Sequence, residues 1–257
     1  MSLSLKSLAL AAVAALALGL GPVSAEAAPT GVKNIVLVHG AFADGSGWNG
    51  VIAALQAKGY HVTAVQNPLT SLADDVAATK RVLAQQDGPT LLVGHSWGGV
   101  VITQTESPNI AGLVYVAALA PDVGESAADV FKHGPAAVEA DAIQPGPDGF
   151  ATIPAARFHS AFAADSSAKE AAVMAATQGP IAAAAFGEKV TVANWKTLPS
   201  WFLVSTADRV INPDLERWEA ERIGAHVVSV TGSHTAFVAN PAVVAKAIED
   251  AATSLHK

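Results

Sequence analysis

The sequence predicts an α/β fold built on a mostly parallel, doubly wound sheet. Its strand-like runs are apolar along their whole length and do not alternate with polar residues, as expected for strands covered on both faces. From residue 32 to residue 119 they alternate with helical patterns in the order β-α-β-α-β-α-β, which favours parallel strands joined by helical crossovers. The length of 257 residues fits one large domain with a sizeable core.

The first half of the domain contains four predicted strands, which are apolar and largely β-branched: 32–38, 61–65, 91–93 and 111–119. The predicted helices between them are 51–58, closed by Gly59 as C-cap, 71–86, and one that starts near Val100. The second of these begins with a capping box of Ser71 and Asp74. Its apolar face carries Leu72, Val76, Thr79 and Leu83, and its charged residues are predicted to lie off that face: Asp74, Asp75, Lys80 and Arg81.

The composition changes between about residue 122 and residue 196, where Ala is abundant and strand-like runs are scarce. A strong turn is predicted at 145–149 and helices at 168–177 and 181–186. We expect this segment to be a helical insertion that caps the sheet. Its five phenylalanines are predicted to pack in a core rather than to line a pocket: Phe131, Phe150, Phe158, Phe162 and Phe186.

The sheet pattern resumes after this insertion. The last two strands are predicted at 200–205 and 226–230. Helices are predicted at 215–223, with Gly224 as its cap, and from Pro241 to about residue 254, with Pro at the first helical position. The domain as a whole is therefore expected to cover residues 29–257.

The central motif is Gly94-His95-Ser96-Trp97-Gly98, which lies between the apolar run 91–93 and the helix near Val100. A strand, a Gly-x-Ser-x-Gly turn and a helix in this order present a nucleophilic serine. The turn brings strand and helix backbones together, so a Cβ at Gly94 or Gly98 would collide. Ser96 then faces outward at a helix N-terminus, where free N–H groups favour developing negative charge. The alternative is a Gly-rich turn with a purely structural role.

Three side chains follow strands whose carboxyl ends meet at one edge of the predicted sheet. They are Ser96, Asp208 and His234, in the chain order found for nucleophile, acid and base in one class of hydrolases. A serine hydroxyl needs a neutral imidazole as base, and the imidazole needs a carboxylate on its other nitrogen. We therefore predict Ser96 as nucleophile, His234 as general base then acid, and Asp208 as the orienting acid. Asp122, which also follows a strand, is the rival acid.

Asp208 has a second interpretation, as the cap of the helix that follows it, but Asp214 is better placed for capping. The negative charge that develops on the substrate oxygen needs two backbone donors. The Trp97 N–H is predicted as one, and the second is expected from the loop after the first strand, at Ala41 in preference to Phe42. His39 and His95 are predicted to be structural.

Several classes of function are disfavoured. A net charge of −7 without a basic run argues against a nucleic-acid partner, and the absence of Cys excludes thiolate chemistry and disulfides. The remaining histidines, His61, His133, His159 and His226, show no metal-ligand spacing, and no Gly-rich phosphate loop is present. We therefore expect no metal and no cofactor, and a small-molecule substrate as the partner.

The N-terminus predicts export. Lys6 precedes an apolar run from residue 8 to residue 20, and Val23-Ser24-Ala25 follows as a small-x-small site. We predict a signal peptide over residues 1–25, with cleavage after Ala25 or, as a second choice, Ala27. The run is too short for an ordinary membrane-spanning helix, so no stable membrane insertion is expected after cleavage and the mature chain is expected to be periplasmic or secreted. An uncleaved anchor or a buried N-terminal helix is the alternative.

The chain resembles the α/β-hydrolases, in particular the small esterase group that includes plant methylesterases, hydroxynitrile lyases and bacterial carboxylesterases. The resemblance covers nearly all of residues 32–253 and is weakest in the cap. The residues that carry it are Val38-His39-Gly40-Ala41 with Gly47-Trp48, the run from Gly94 to Gly99, Thr206-Ala207-Asp208 with Pro213, and Gly232-Ser233-His234.

This resemblance implies an α/β-hydrolase fold, a cofactor-free site between cap and sheet, and ester hydrolysis through an acyl-enzyme, with small or medium uncharged esters or lactones as substrates. The lyases of the group carry Thr where this chain has Gly40 and Lys directly after the catalytic His, where this chain has Thr235. An esterase is therefore favoured over a lyase. The resemblance is also compatible with a side activity like that of the cofactor-free perhydrolases, or with a ligand receptor that lacks catalysis.

Overall fold

The computed structural model describes residues 31–255. The predicted signal peptide lies outside the described residues. Six strands form one sheet in the order β2-β1-β3-β4-β8-β9, and every neighbouring pair is parallel. Their bounds are β1 Asn34–Val38, β2 His61–Ala64, β3 Thr90–His95, β4 Ile110–Val116, β8 Ser200–Ser205 and β9 His226–Val230. The predicted α/β fold with a parallel sheet is confirmed.

Helices cover both faces of this sheet, as a doubly wound arrangement requires. They are α1 Asn49–Ala57, α2 Leu72–Leu83, α3 Trp97–Gln104, α7 Pro213–Arg222 and α9 Pro241–Ser254, with the short α8 Ala236–Ala239 just before α9. Side chains of α2, α3 and α7 join one hydrophobic core with alternate strand residues such as Leu92 and Phe202, and those of α1 and α9 join a second core with residues such as Leu91 and Leu203. The two cores explain why the strands are apolar throughout.

Two element boundaries differ from the prediction at the edge where the motif lies. The helix predicted to start near Val100 begins at Trp97, directly after Ser96. The strand predicted to reach residue 119 ends at Val116, because Ala117 adopts a positive φ of 43° that interrupts the extended backbone.

The segment that we name the cap, residues 122–196, contains three short helices, α4 Ala127–Val130, α5 Ala155–Ala161 and α6 Ala168–Thr177. The helix predicted at 168–177 is confirmed, and Ser167 and Glu170 form its capping box. The cap also contains a small antiparallel sheet of β5 Gln144–Pro145, β6 Phe150–Thr152 and β7 Ile181–Ala182.

The helix predicted at 181–186 is wrong. Residues Ile181–Ala182 form β7, and a 3₁₀ turn follows at Ala183–Gly187. Ile181 pairs with Ala151 of β6, and the Ala182 N–H donates to the carbonyl oxygen of Leu69 at 2.8 Å. These tertiary hydrogen bonds outweigh the high helix propensity of the Ala-rich sequence.

Candidate active site

Ser96 occupies a strained backbone position between β3 and α3, with φ +53° and ψ −120°. Such a conformation is rare for a residue other than Gly and costs on the order of 1–3 kcal/mol. Backbone hydrogen bonds hold it: the Ser96 N–H donates to the Val116 oxygen at 3.2 Å, and the Ser96 oxygen accepts from the Gly99 N–H at 2.9 Å. The close approach predicted for the turn is present, since a Cβ on Gly94 would lie 2.4 Å from the carbonyl oxygen of Gly98.

A buried hydrogen-bonded pair lies at the same edge of the sheet, beyond the ends of β8 and β9. His234 Nδ1 lies 2.5 Å from Asp208 Oδ2, and both side chains are inaccessible to solvent. The other Asp208 oxygen, Oδ1, accepts from the N–H groups of Val210 and Ile211 at 2.7 and 2.9 Å. A carboxylate held in this way assigns the proton to His234 Nδ1 and leaves Nε2 as an acceptor.

The Nε2 atom of His234 is buried and makes no hydrogen bond to any described residue. His95, the neighbour of Ser96, contacts the same histidine, since His95 Nε2 donates to the His234 carbonyl oxygen at 2.9 Å and the two ring centroids are 4.7 Å apart. Burial, followed by the nearby His234, lowers the pKa of His95 well below its ordinary value, so its ring is neutral. Through these contacts, His234 and Asp208 lie at the same edge of the sheet as Ser96.

Some backbone N–H groups near Ser96 already donate a hydrogen bond, and others do not. The N–H groups of Ala41 and Trp97 donate no hydrogen bond to another group among residues 31–255, whereas the Phe42 N–H donates to the Gly179 oxygen at 3.2 Å. Gly40 packs directly on the nucleophile turn, because a Cβ there would lie 2.7 Å from the Cβ of Ser96. This geometry favours Ala41 over Phe42 as the second donor, as the sequence did.

The rival acid, Asp122, lies away from the histidine. Its carboxylate forms an ion pair with Lys196 at 2.5 Å and is partly exposed at the start of the cap. The assignment of Asp214 as helix cap is wrong. Asn212 is the N-cap of α7, and its side chain accepts from the Asp214 N–H at 2.9 Å, because Pro213 occupies the first helical position.

A family model described as "Alpha/beta hydrolase family" matches residues 35–247. This chain belongs to the alpha/beta hydrolase family. A probable hydrolase, R7, of a Phoma species is 28% identical over 226 residues, covering 78% of this chain and 90% of that protein. Methylesterase 7 of Arabidopsis thaliana is 33% identical over 118 residues, covering 39% of this chain and 45% of that protein.

Among solved structures, a pyrethroid hydrolase from Sphingobium faniae superposes with a TM-score of 0.72 at 22% identity, covering 86% of this chain and 97% of the other. At this identity the superposition shows the fold alone. The family match confirms the resemblance to the α/β-hydrolases, and the methylesterase match agrees with the small esterase group within them. The relatives place this alpha/beta hydrolase among hydrolases and esterases.

His39 has a structural environment in this hydrolase, as predicted. Its Nε2 accepts from the Asn67 N–H at 2.9 Å, and its Nδ1 donates to the Gly40 oxygen at 2.9 Å. The Asn67 side-chain amide donates to the carbonyl oxygen of His39 at 2.9 Å. Burial lowers the pKa of His39, so the neutral ring joins the loops that follow β1 and β2.

Aromatic side chains enclose the histidine. The ring of Phe162 lies 5.0 Å from that of His234 and 6.2 Å from that of Phe42, and Phe42 lies 6.5 Å from Phe186. Phe162 is fully buried, as expected for a core residue, but it also forms a wall of the site. Phe42 extends this wall to a cleft of about 600 Å³ between the loop after β1 and helix α6, where Asp44, Val173 and Met174 are among the lining residues.

Three buried carboxyl groups escaped the sequence analysis: Asp75, Glu216 and Glu219. Asp75 was predicted to lie off the apolar face of α2, but it is fully buried, and it accepts from Trp97 Nε1 and the Leu69 N–H, each at 2.8 Å. Glu216 is fully buried on α7. The spacing carried a signal, because Asp75 is three residues after Leu72, and Glu216 and Glu219 adjoin Leu215 and Ala220 on the buried stripe of α7.

Among residues 31–255, no three acidic or histidine side chains are grouped so that they could hold a metal ion. No helix in this part of the chain has both the length and the apolar character needed to cross a membrane.

Proposed function

We propose that this alpha/beta hydrolase is a serine hydrolase that cleaves small to medium uncharged carboxylic esters through an acyl-enzyme. The observation that carries the proposal is the buried Asp208–His234 pair beside Ser96, with the acceptor nitrogen of His234 left unpartnered within the described chain. A buried acceptor without a donor is rare in folded proteins, and a catalytic role is one established reason for it.

In the first step of the proposed reaction, Ser96 Oγ attacks the ester carbonyl carbon while its proton moves to His234 Nε2. Asp208 holds the imidazole in position and stabilises the imidazolium that forms. The carbonyl oxygen becomes an oxyanion, and the N–H groups of Trp97 and Ala41 are proposed to donate to it. The bond to the alcohol then breaks, and the alcohol leaves with the proton from Nε2.

The second half of the reaction repeats these roles with water. Nε2 takes a proton from water as its oxygen attacks the acyl carbon, and the bond to Ser96 Oγ breaks when Nε2 returns the proton to that oxygen. The carboxylic acid leaves and Ser96 is restored. Because His234 must accept a proton in both halves, the reaction requires the neutral form of its imidazole.

The aromatic wall supports uncharged substrates. Phe162 packs on the His234 ring, and Phe42 and Phe186 extend this apolar surface, which favours an uncharged acyl or alcohol group over a charged one. Lactones, as internal esters, fit the same chemistry. A relative named as a methylesterase agrees with an ester substrate.

The lyase alternative is disfavoured at the site itself. A Cβ at position 40 would lie 2.7 Å from Ser96 Cβ and 2.9 Å from the His95 oxygen, so the Thr of the lyases has no room here. Thr235, which stands where the lyases carry Lys, donates its hydroxyl to the Phe162 oxygen at 3.3 Å.

The test is Ser96→Ala, measured with p-nitrophenyl esters of increasing chain length and by labelling with a fluorophosphonate, whose phosphorus bonds Ser96 Oγ as fluoride leaves. We expect kcat to fall on the order of 10⁶-fold, as in other serine hydrolases, with labelling abolished and the melting temperature retained. Labelling of wild type at Ser96 is the positive control. A variant that keeps most of its activity would contradict the proposed function.

A further inference from the structure

Glu216 lies behind Asp208, on the first turns of α7. Its side chain is fully buried, and Oε2 accepts from the Ser205 N–H, at the end of β8, at 2.9 Å. Its other oxygen, Oε1, is buried and has no N–H or O–H donor among the described residues. Buried carboxylate oxygens without donors are strongly disfavoured, so this oxygen is expected to carry a proton.

The acceptor for that proton is the carboxylate of Asp208. Ser205 joins the two residues, because its N–H donates to Glu216 Oε2 and its carbonyl oxygen accepts from the Asp208 N–H at 3.3 Å, so the two carboxyl groups are neighbours. Burial, followed by the charge of Asp208, raises the pKa of Glu216 well above its ordinary range, and the Ser205 N–H and then the adjacent Arg217 oppose this rise. Two buried carboxyl groups in contact do not both ionise, because the like charges repel; one of them keeps its proton.

The hydrogen bonds of Asp208 indicate which of the two carboxyl groups is ionised. Asp208 already accepts from His234 Nδ1 and from the N–H groups of Val210 and Ile211, so it is the member that carries the charge. An ionised carboxylate has about four acceptor positions. Three are occupied, and the O–H of Glu216 supplies a fourth donor.

We propose that Glu216 is a positioning residue: its neutral carboxylic acid donates a hydrogen bond to Asp208 and fixes that carboxylate against His234. This inference rests on the proposed function, since it assigns Asp208 and His234 the roles given above. Glu216 thus joins the end of β8 to the triad, through the Ser205 N–H on one oxygen and Asp208 on the other.

The test compares Glu216→Gln with Glu216→Met. Gln preserves the proposed bonds, because its amide N–H₂ donates to Asp208 and its oxygen accepts from Ser205. We expect Gln to rescue most of kcat and to keep the acid limb of the pH–rate profile in place. Met, of similar volume, removes the donor, and we expect kcat to fall about 10- to 100-fold with KM little changed. Its acid limb moves to higher pH, because a less satisfied Asp208 stabilises the imidazolium more strongly.

The opposite result with Gln overturns the proposal. If Glu216 were ionised, Glu216→Gln would remove a negative charge beside the pair, and the acid limb would move to lower pH. Retention of full kcat by Glu216→Met would overturn it as well. Glu219→Gln is the matched control: the same change one turn further along α7, at a buried carboxyl bonded to the Ala120 N–H, is expected to leave the acid limb in place.

An infrared difference spectrum of wild type minus Glu216→Gln, at neutral pH, tests the protonation state without any activity. We expect the carbonyl stretch of a neutral carboxylic acid in wild type, and its absence overturns the proposal even if Glu216→Met fails to fold. The two hypotheses fail separately. Equal activity of wild type and Ser96→Ala rejects the proposed function and with it the positioning role. An active, Ser96-dependent enzyme without the infrared band rejects only the inference on Glu216.

Discussion

Strands β3 and β4 of the main sheet pair over six positions of β3, whereas β5, β6 and β7 of the cap pair over only two positions each. The main sheet has helices on both faces, so its strand ends are fixed by long backbone ladders and two hydrophobic cores. The cap joins the rest of the chain through separate hydrogen bonds and not through a continuous ladder, for example those from Phe42 to Gly179 and from Ala182 to Leu69.

The difference separates chemistry from substrate enclosure. Ser96, Asp208 and His234 all follow strands of the main sheet, so its backbone ladders fix their relative positions. The cap supplies Phe162 and Phe186 to the aromatic wall beside them. The three residues proposed for the chemistry and most of the wall that would face a substrate therefore come from different regions.

The largest effect expected from comparing the two regions concerns two acids, Asp208 after a strand of the main sheet and Asp122 at the start of the cap. Asp208→Asn should lower kcat on the order of 10⁴-fold, because the amide no longer fixes the tautomer of His234. Asp122→Asn should leave kcat close to wild type and remove only a partly exposed ion pair with Lys196, worth at most about 1 kcal/mol. Steady-state kinetics on a p-nitrophenyl ester measures both. A larger loss for the Asp122 variant would reassign the acid.

A second contrast uses two glycines. Gly40→Ala should lower kcat/KM about 100-fold, because its Cβ would lie 2.7 Å from Ser96 Cβ and displace the nucleophile. Gly187→Ala, in the cap, places its Cβ in open space and should leave kcat/KM unchanged. Circular dichroism checks that both variants fold. Equal kinetics for the two would show that the turn around Ser96 tolerates displacement, and the proposed separation would be lost.

The smallest expected effect is a pH-dependent loss of stability. Trp97→Phe removes the donor to buried Asp75, whose pKa burial raises to about 6, and should lower the free energy of unfolding by about 1–3 kcal/mol at pH 8. For a carboxyl with a raised pKa, stability falls as pH rises from the unfolded value toward the folded one. Without its donor, Asp75 has a folded pKa raised further, so the loss relative to wild type grows above pH 6.

Trp195→Phe is the control for that measurement. Its Nε1 donates to the Pro121 oxygen at 3.1 Å, a neutral acceptor, so its cost should be the same at pH 5 and pH 8. Urea denaturation at the two pH values gives both differences. A loss for Trp97→Phe that does not depend on pH would mean that Asp75 does not titrate in this range.

The sequence predicted most of the sheet because each strand carries its own apolar signal, and the glycines around Ser96 identify the turn by steric necessity. It predicted that Ser96, Asp208 and His234 lie near one another because the carboxyl ends of parallel strands meet at one edge of the sheet. The strands of the cap escaped because pairs of two residues carry no periodicity, and β7 forms only through contacts with distant segments. Asp75 and Glu216 escaped because a charged residue on a buried stripe is interpreted as exposed unless its partner is known.

The N–H of Phe42 donates to the Gly179 oxygen, while the N–H of its neighbour Ala41 donates to no group among the described residues. One amide of this loop therefore anchors the cap, and the adjacent amide is available for the oxyanion role proposed for it. If the cap of another hydrolase were grafted onto this protein, it would need a backbone carbonyl at the position of Gly179 to accept from the Phe42 N–H. Without that tether, the loop that carries the free amide would lose its support, and a graft intended to alter specificity would slow turnover for every ester.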